Sequence, residues 1–101
     1  MIIVSGKAQL SPGGLAKVQK EMETVVTATR QEDGCIGYSF GADVMEPDTL
    51  IVLEYWKDWA ALDAHVKQPH MGAWFAKLGE IGVVSQEIRF IEAGEERNLM
   101  G

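Results

Sequence analysis

Cysteine, basic residues and long apolar runs are all scarce in this chain of 101 residues. The single cysteine, Cys35, cannot form an internal disulfide, and we interpret it as a small buried residue in a reducing compartment. No window approaches the roughly 20 apolar residues of a membrane span, and the apolar run after Met1 is too short for a signal peptide. These absences predict a cytoplasmic protein that does not enter a membrane.

Positive charge is scarce relative to negative charge. Nine Lys and Arg residues are spread singly against fifteen Asp and Glu residues, which gives a net charge of -6. Nucleic-acid binding needs a clustered basic face and is therefore not expected. The chain length allows one domain with a single core. We predict that this domain spans residues 1–93 and that a polar, acidic tail follows at residues 94–101.

Motifs for cofactors and metals are also missing. Gly13 and Gly14 are not part of a G-x-G-x-x-G motif after a strand, so neither a nucleotide nor a flavin is indicated. His65 and His70 are five residues apart, across a proline, whereas a helical chelating pair is four residues apart. Cys35 is the only other His or Cys residue in the sequence. We therefore expect no metal and no other cofactor.

Apolar periodicity predicts the element order strand, helix, strand, strand, helix, strand. The strands are expected at residues 2–10, 35–44, 50–56 and 83–91. Ser11 suits an N-cap and Pro12 suits the first helical position, so the first helix is predicted to begin there and to end at Gly34. One face of the second strand is predicted to carry Ile36, Tyr38, Phe40, Ala42 and Val44.

The second helical region is predicted to consist of two helices. Asp58 is the expected N-cap of the first one, and Pro69 disfavours helical geometry at Gln68, so the helix should break there and restart. In the first helix the apolar stripe is expected at Trp59, Leu62 and Val66, with His65 beside it. The second, short helix is expected to present Met71, Phe75 and Leu78, with Trp74 beside them.

This order is that of an α+β fold, the ferredoxin-like βαββαβ plait, in which helices cover one face of a four-stranded antiparallel sheet. The third strand is apolar on both faces, so the uncovered face would expose more apolar surface than a monomer tolerates. We therefore predict a homodimer in which a second copy covers that face.

Residues 49–75 contain the candidate site, because both histidines and all three tryptophans lie there. An unperturbed histidine has a pKa of about 6.5, so His65 could act as a base in a cavity wall, or it could simply be hydrogen-bonded in the structure. Glu54 should be buried, and it could be a structural partner or an acid–base group. Trp56 could contact a ligand or only pack in the core.

Two motifs resemble those of the antibiotic biosynthesis monooxygenase domain family. One consists of Glu54 and Trp56 followed by Ala61-Leu62-Asp63-Ala64-His65 and a second histidine, His70. The other is Glu32-Asp33-Gly34-Cys35-Ile36-Gly37-Tyr38 before the second strand. The resemblance implies a dimeric α+β barrel and a cofactor-independent oxygenase, without flavin, haem or metal, that acts on a small phenolic or hydroquinone substrate with O2.

In that reading His65 is the catalytic base. The candidate substrate contacts are Tyr38, Phe40, Glu54, Trp56, His70, Met71, Trp74 and Phe75. Haem-degrading relatives have Asn, Trp and His where this chain has Gly6, His65 and Phe75, so haem degradation is not expected. Polyketide-tailoring relatives have an Asn at the position of Val52. Two alternatives stay open, an isomerase of a small carbonyl compound and a non-catalytic dimeric module that binds a small ligand or acts in stress.

Overall fold

A computed structural model describes residues 1–99. Its strands are β1 (Ile2–Leu10), β2 (Cys35–Ala42), β3 (Thr49–Trp56) and β4 (Val83–Glu92). Its helices are α1 (Gly14–Lys17), α2 (Gln19–Thr29), α3 (Trp59–Val66) and α4 (Pro69–Ile81). The strands form one antiparallel sheet in the order β2-β3-β1-β4. This is the predicted ferredoxin-like α+β architecture, and the sheet is open.

The helices cover one face of the sheet, where two clusters of buried side chains form the core. The first, which we call the apolar end, consists of Leu10, Val18, Met22, Val25, Leu50, Val52, Met71 and Trp74. The second contains Ile2, Val4, Tyr38, Trp56 and Leu62. Glu54 and His65 are also buried. We call this second cluster together with Glu54 and His65 the polar end.

The predicted start of the first helix is wrong. The Ser11 hydroxyl donates to the carbonyl of Gly82 at 3.3 Å and does not cap a helix. The side chain of Asp48 takes that role, because it accepts from the backbone N–H groups of Gly13 at 2.9 Å and Leu15 at 3.2 Å. The helix is also interrupted at Val18, which separates α1 from α2.

The predicted face of β2 is correct for Tyr38 and Phe40, which lie on the helix side opposite Glu54 and Val52. It is wrong at the start of the strand, because the register with β3 shifts between Cys35 and Gly37. This irregularity turns Cys35 toward the core and leaves Ile36 61% exposed.

In the second helical region the predicted cap, break and restart are confirmed, but α4, with 13 residues, is not the short helix that was expected. The Asp58 side chain accepts from the backbone N–H of Ala61 at 2.8 Å, and Pro69 opens α4 after an extended Gln68. The predicted stripe of α3 is shifted, however, because Leu62 and His65 are its buried residues while Trp59 is exposed. His65 therefore points into the molecule instead of lying beside an apolar stripe.

The other face of the sheet lies open. Register places Ile3, Tyr55 and Ile91 side by side there, with Leu53 37% exposed on the same face. After β4 the chain continues to residue 99 without a helix or strand, and the last two residues of the predicted tail, 100 and 101, lie outside the described residues. Within residues 1–99, no helix combines the length and apolar character that crossing a membrane requires.

Candidate active site

A cavity of about 160 Å³ lies between the sheet and the helices α3 and α4. Apolar side chains of all four strands contribute to its wall, and its volume is below the ~300–1,000 Å³ of pockets for drug-sized ligands. It is therefore suited to a small, largely apolar molecule. Seven residues of the sequence prediction line it: Tyr38, Phe40, Glu54, His65, Met71, Trp74 and Phe75.

The two other predicted residues lie elsewhere. Trp56 is fully buried in the core and packs against the His65 ring, with 4.5 Å between ring centroids. His70, near the start of α4, faces a surface recess between α2 and α4. Neither residue lines the cavity, so we interpret Trp56 as a support for His65 and Glu54, and His70 as a support for Glu32.

Glu32 holds His65 in place, although Glu32 was not predicted as a site residue. Its Oε2 lies 2.8 Å from His65 Nδ1. A carboxylate only accepts hydrogen bonds, so Nδ1 carries the proton, and the lone pair of the neutral ring is on Nε2. Burial lowers the pKa of His65, because its effect is larger than the opposing effect of Glu32. The neutral form of the ring is therefore favoured. The result is an oriented imidazole base at the cavity wall.

Glu32 also binds His70. The same oxygen, Oε2, lies 2.8 Å from His70 Nε2, so one carboxylate oxygen fixes both rings. Glu32 precedes β2 and is 33 and 38 residues away from the two histidines, so no local spacing connects them. The sequence feature that could have identified Glu32 as a site residue is its place in the same family motif as Tyr38.

Glu54 is the second titratable group of the cavity. It is 7% exposed, and its Oε1 accepts from the indole N–H of Trp56 at 2.8 Å. Burial raises the pKa of Glu54 to about 7, with a smaller contribution from Glu32, while the bond from Trp56 opposes the rise. Glu54 is thus both a structural partner of Trp56 and a group that can exchange protons near neutral pH.

Tyr38 completes the environment of the imidazole. Its ring meets the His65 ring edge-on, with 5.3 Å between centroids. Burial, reinforced by the negative charges of Glu54 and Glu32, raises the pKa of the Tyr38 hydroxyl, so it stays protonated. Among the described residues that line the cavity, no side chain is Lys or Arg. An anionic substrate would therefore find no counter-charge there.

A metal could also be held near this site. The ligand atoms of Glu32, His65 and His70 all lie within 4.8 Å of one another. We expected no metal because the two histidines are five residues apart and because Cys35 is the only other His or Cys residue. Glu32 supplies a third ligand from another element, so the three side chains together could hold a metal ion.

A serine nucleophile finds no support. Residues 37–41, Gly-Tyr-Ser-Phe-Gly, match the G-x-S-x-G pattern of hydrolases, but they lie inside β2 and not at a strand-to-helix turn. Ser39 is exposed on the open face of the sheet, opposite Leu53, whereas His65 lies on the helix side. The pattern is therefore not a nucleophile elbow.

A model of the family described as antibiotic biosynthesis monooxygenase matches residues 1–77. The chain belongs to this family. The resemblance noted from the two sequence motifs is thereby confirmed, and the matched range contains Glu32, Glu54, His65 and His70.

Relatives of the chain align over most of its length. A protein of Escherichia coli named "Probable quinol monooxygenase YgiN" is 28% identical over 93% of this chain and 99% of its own length. An uncharacterised protein of Synechocystis, sll1783, is 29% identical over 97% of this chain and 67% of its own length. Monooxygenase names thus recur among the relatives, at low identity.

Solved structures of the family share the fold. A crystal structure from Deinococcus radiodurans, provisionally assigned as an antibiotic biosynthesis monooxygenase, is 31% identical to this chain. The two superimpose with a TM-score of 0.89 over 100% of both chains. The structure of Rv0793 from Mycobacterium tuberculosis, at 23% identity, has a TM-score of 0.84 over 96% of this chain and 98% of its own.

Proposed function

We propose that this protein is a cofactor-independent monooxygenase that acts on a small phenolic or hydroquinone substrate with O2. The observation that carries the proposal is the orientation of His65, whose Nδ1 is held by Glu32 while the ring lines an apolar cavity. The family membership and the monooxygenase names of relatives support the same reaction class.

The chemistry requires a base and little else from the protein. His65 Nε2 removes a proton from a substrate hydroxyl, which leaves an electron-rich anion that can pass an electron to O2. The substrate supplies all four electrons that reduce O2, two from oxidation of hydroquinone to quinone and two from conversion of a ring C–H to C–OH. One oxygen atom enters the ring and the other leaves as water.

Glu54 provides a second proton-transfer group in the same cavity. Because its pKa is raised to about 7, it can take a proton from the second hydroxyl or return one to reduced oxygen. The ring of the substrate would contact the apolar walls formed by Phe40, Met71, Trp74 and Phe75. The lack of a lysine or arginine among the described lining residues fits a neutral substrate.

The proposal includes a homodimer formed through the open face of the sheet. Ile3, Leu53 and Ile91 share that face with Tyr55, and an apolar surface of this kind favours association. Sedimentation velocity at micromolar concentration should show a dimer. A monomer under those conditions would contradict this part of the proposal.

An isomerase of a small carbonyl compound is the second candidate. Its support is the pair His65 and Glu54, two proton-transfer groups in one cavity, which could move a proton between carbon atoms without O2. Oxygen dependence separates the two functions, because isomerisation proceeds anaerobically.

The test is O2 consumption by protein treated with a chelator, with a reduced naphthoquinone as substrate. We expect consumption well above the autoxidation measured without enzyme. Consumption equal to autoxidation would contradict the proposal. Turnover of a carbonyl compound under argon would instead support the isomerase.

A further inference from the structure

We propose that Glu32, His65 and His70 form a site for a divalent transition metal, and that a metal bound there blocks the basic nitrogen of His65. Metal binding itself does not depend on the proposed function. The blocking effect does rest on it, since that effect concerns the base of the proposed reaction.

The proposed metal site is supported by the types of its three residues and by their proximity. Two imidazoles and one carboxylate are a ligand set used by zinc and by non-haem iron. The three come from different elements, the segment before β2, α3 and α4, and they meet because both ring nitrogens already point at one oxygen of Glu32, at 2.8 Å each. Tertiary structure thus brings together ligands that the sequence spacing separates.

The required rearrangement is small. With metal–ligand distances of about 2.0–2.2 Å, the ligand atoms should lie about 3.0–3.4 Å apart, whereas the present atoms lie within 4.8 Å of one another. The His70 side chain is 19% exposed and near the start of α4, so its ring can move toward His65 and also leave a route for the ion.

The surrounding charge favours a cation. The Glu32 side chain is only 10% exposed, and the buried Glu54 lines the same cavity as His65. The Nε of Arg30, two residues before Glu32, is bonded to the backbone carbonyl of Tyr38. Two carboxylates near a largely apolar core are better balanced by a divalent ion.

Metal binding would change which nitrogen of His65 carries the proton. In the metal-free protein the proton is on Nδ1 and the lone pair is on Nε2. A metal on Nδ1 needs the lone pair there, so the proton of the neutral ring moves to Nε2. His70 changes in the opposite sense, from a proton on Nε2 to one on Nδ1, and no proton leaves either ring. The metal-bound His65 then has no free lone pair for a substrate hydroxyl.

The direct test is titration of the full-length, chelator-treated protein with Co2+, followed by visible absorption, and with Zn2+, followed by calorimetry. We expect saturation at one ion per chain. Glu32→Gln and His70→Gln should each weaken binding at least about tenfold. Asp33→Asn, which alters the neighbouring exposed carboxylate, is the matched control and should bind as the wild type does. Circular dichroism checks that each variant is folded.

Absence of saturable binding, or equal affinity in wild type and in folded Glu32→Gln and His70→Gln, would overturn the site. The blocking effect is tested separately, by O2 consumption with and without one equivalent of Zn2+. We expect Zn2+ to abolish turnover and a chelator to restore it. Turnover that persists with Zn2+ bound, or that requires Zn2+, would overturn the blocking effect. Absence of turnover in the metal-free protein would instead contradict the proposed function, while the binding titration still decides the site.

Discussion

The two ends of the core differ in what they bury. The apolar end is formed by aliphatic side chains, methionines and one tryptophan, whereas the polar end buries a histidine and a carboxyl group beside Trp56. Both ends lie on the same sheet face, but α2 and α4 contribute buried side chains to the apolar end and α3 contributes them to the polar end. The apolar end should therefore supply most of the folding free energy, whereas burial of titratable groups lowers the contribution of the polar end.

Strand β3 shows the difference within one element. Leu50 and Val52 project into the apolar end, and Glu54 and Trp56, next along the same face, belong to the polar end. The indole N–H of Trp56 limits the cost of burying Glu54, because it supplies one hydrogen bond to the carboxyl group. Substitutions at either end should therefore differ in their effects on turnover and on the free energy of unfolding.

The largest effect is expected for His65→Gln at the polar end. Glutamine can still donate to Glu32 but has no basic nitrogen, so turnover of a reduced naphthoquinone should fall about 10²–10⁴-fold. Steady-state O2 consumption measures the effect, and circular dichroism verifies the fold. A variant that keeps full turnover would remove the base assignment.

Leu10→Ala tests the apolar end. The side chain is fully buried, so its truncation should cost about 2–5 kcal/mol of unfolding free energy. Turnover per folded molecule should stay unchanged below the unfolding transition. Urea unfolding at fixed protein concentration measures the loss, and Leu99→Ala, at a site 95% exposed, is the control with little expected change. Similar free energies of unfolding for Leu10→Ala and Leu99→Ala would contradict the claim that the apolar end supplies most of the folding free energy.

Glu54→Gln tests the cost of burying a titratable group. The pKa of Glu54 is about 7 in the folded protein and ordinarily 4.5, so the stability that its protonated form contributes is fully present below pH 4.5 and is lost as the pH rises through 7. The glutamine variant stays neutral. It should match the wild type near pH 4 and exceed it at pH 8 by up to about 3 kcal/mol.

Urea unfolding between pH 4 and 8 measures this difference. Glu80→Gln, on the exposed side of α4, is the control and should keep the pH dependence of the wild type. An unchanged pH dependence in Glu54→Gln would show that burial does not disfavour the charged form of Glu54.

Trp56→Phe should have the smallest effect. It leaves Glu54 Oε1 without its donor, which should cost about 1–3 kcal/mol. Because the bond from Trp56 lowers the pKa of Glu54, its loss should raise that pKa above the wild-type value. Carbon-13 NMR of labelled glutamate measures the titration, with Trp59→Phe as the exposed control. A pKa that falls would contradict the assigned role of the indole.

Local rules predicted most of the fold. The order of strands and helices along the chain, the cap at Asp58 and the restart at Pro69 follow from periodicity, capping and the geometry that proline imposes on its neighbour. The register shift at Cys35 and Ile36 does not follow from these rules, because pairing with β3 sets the register of β2. Alternation within one strand cannot reveal such a shift.

Long-range contacts explain the other differences. Asp48 caps a helix that begins 34 residues earlier in the chain, at Gly14, and so displaces Ser11 from that role. Glu32 likewise contacts His65 across 33 residues of sequence. The sequence predicted His65, Glu54 and the cavity walls from residue type and family motif, but the partner that orients His65 depends on tertiary structure.

Incorporation of 18O from labelled O2 tests the central claim most directly. Chelator-treated wild-type protein is given a reduced naphthoquinone under 18O2, and the product is analysed by mass spectrometry. We expect a hydroxylated quinone with one 18O atom, formed faster than in His65→Gln. An unlabelled quinone formed at the autoxidation rate would contradict it.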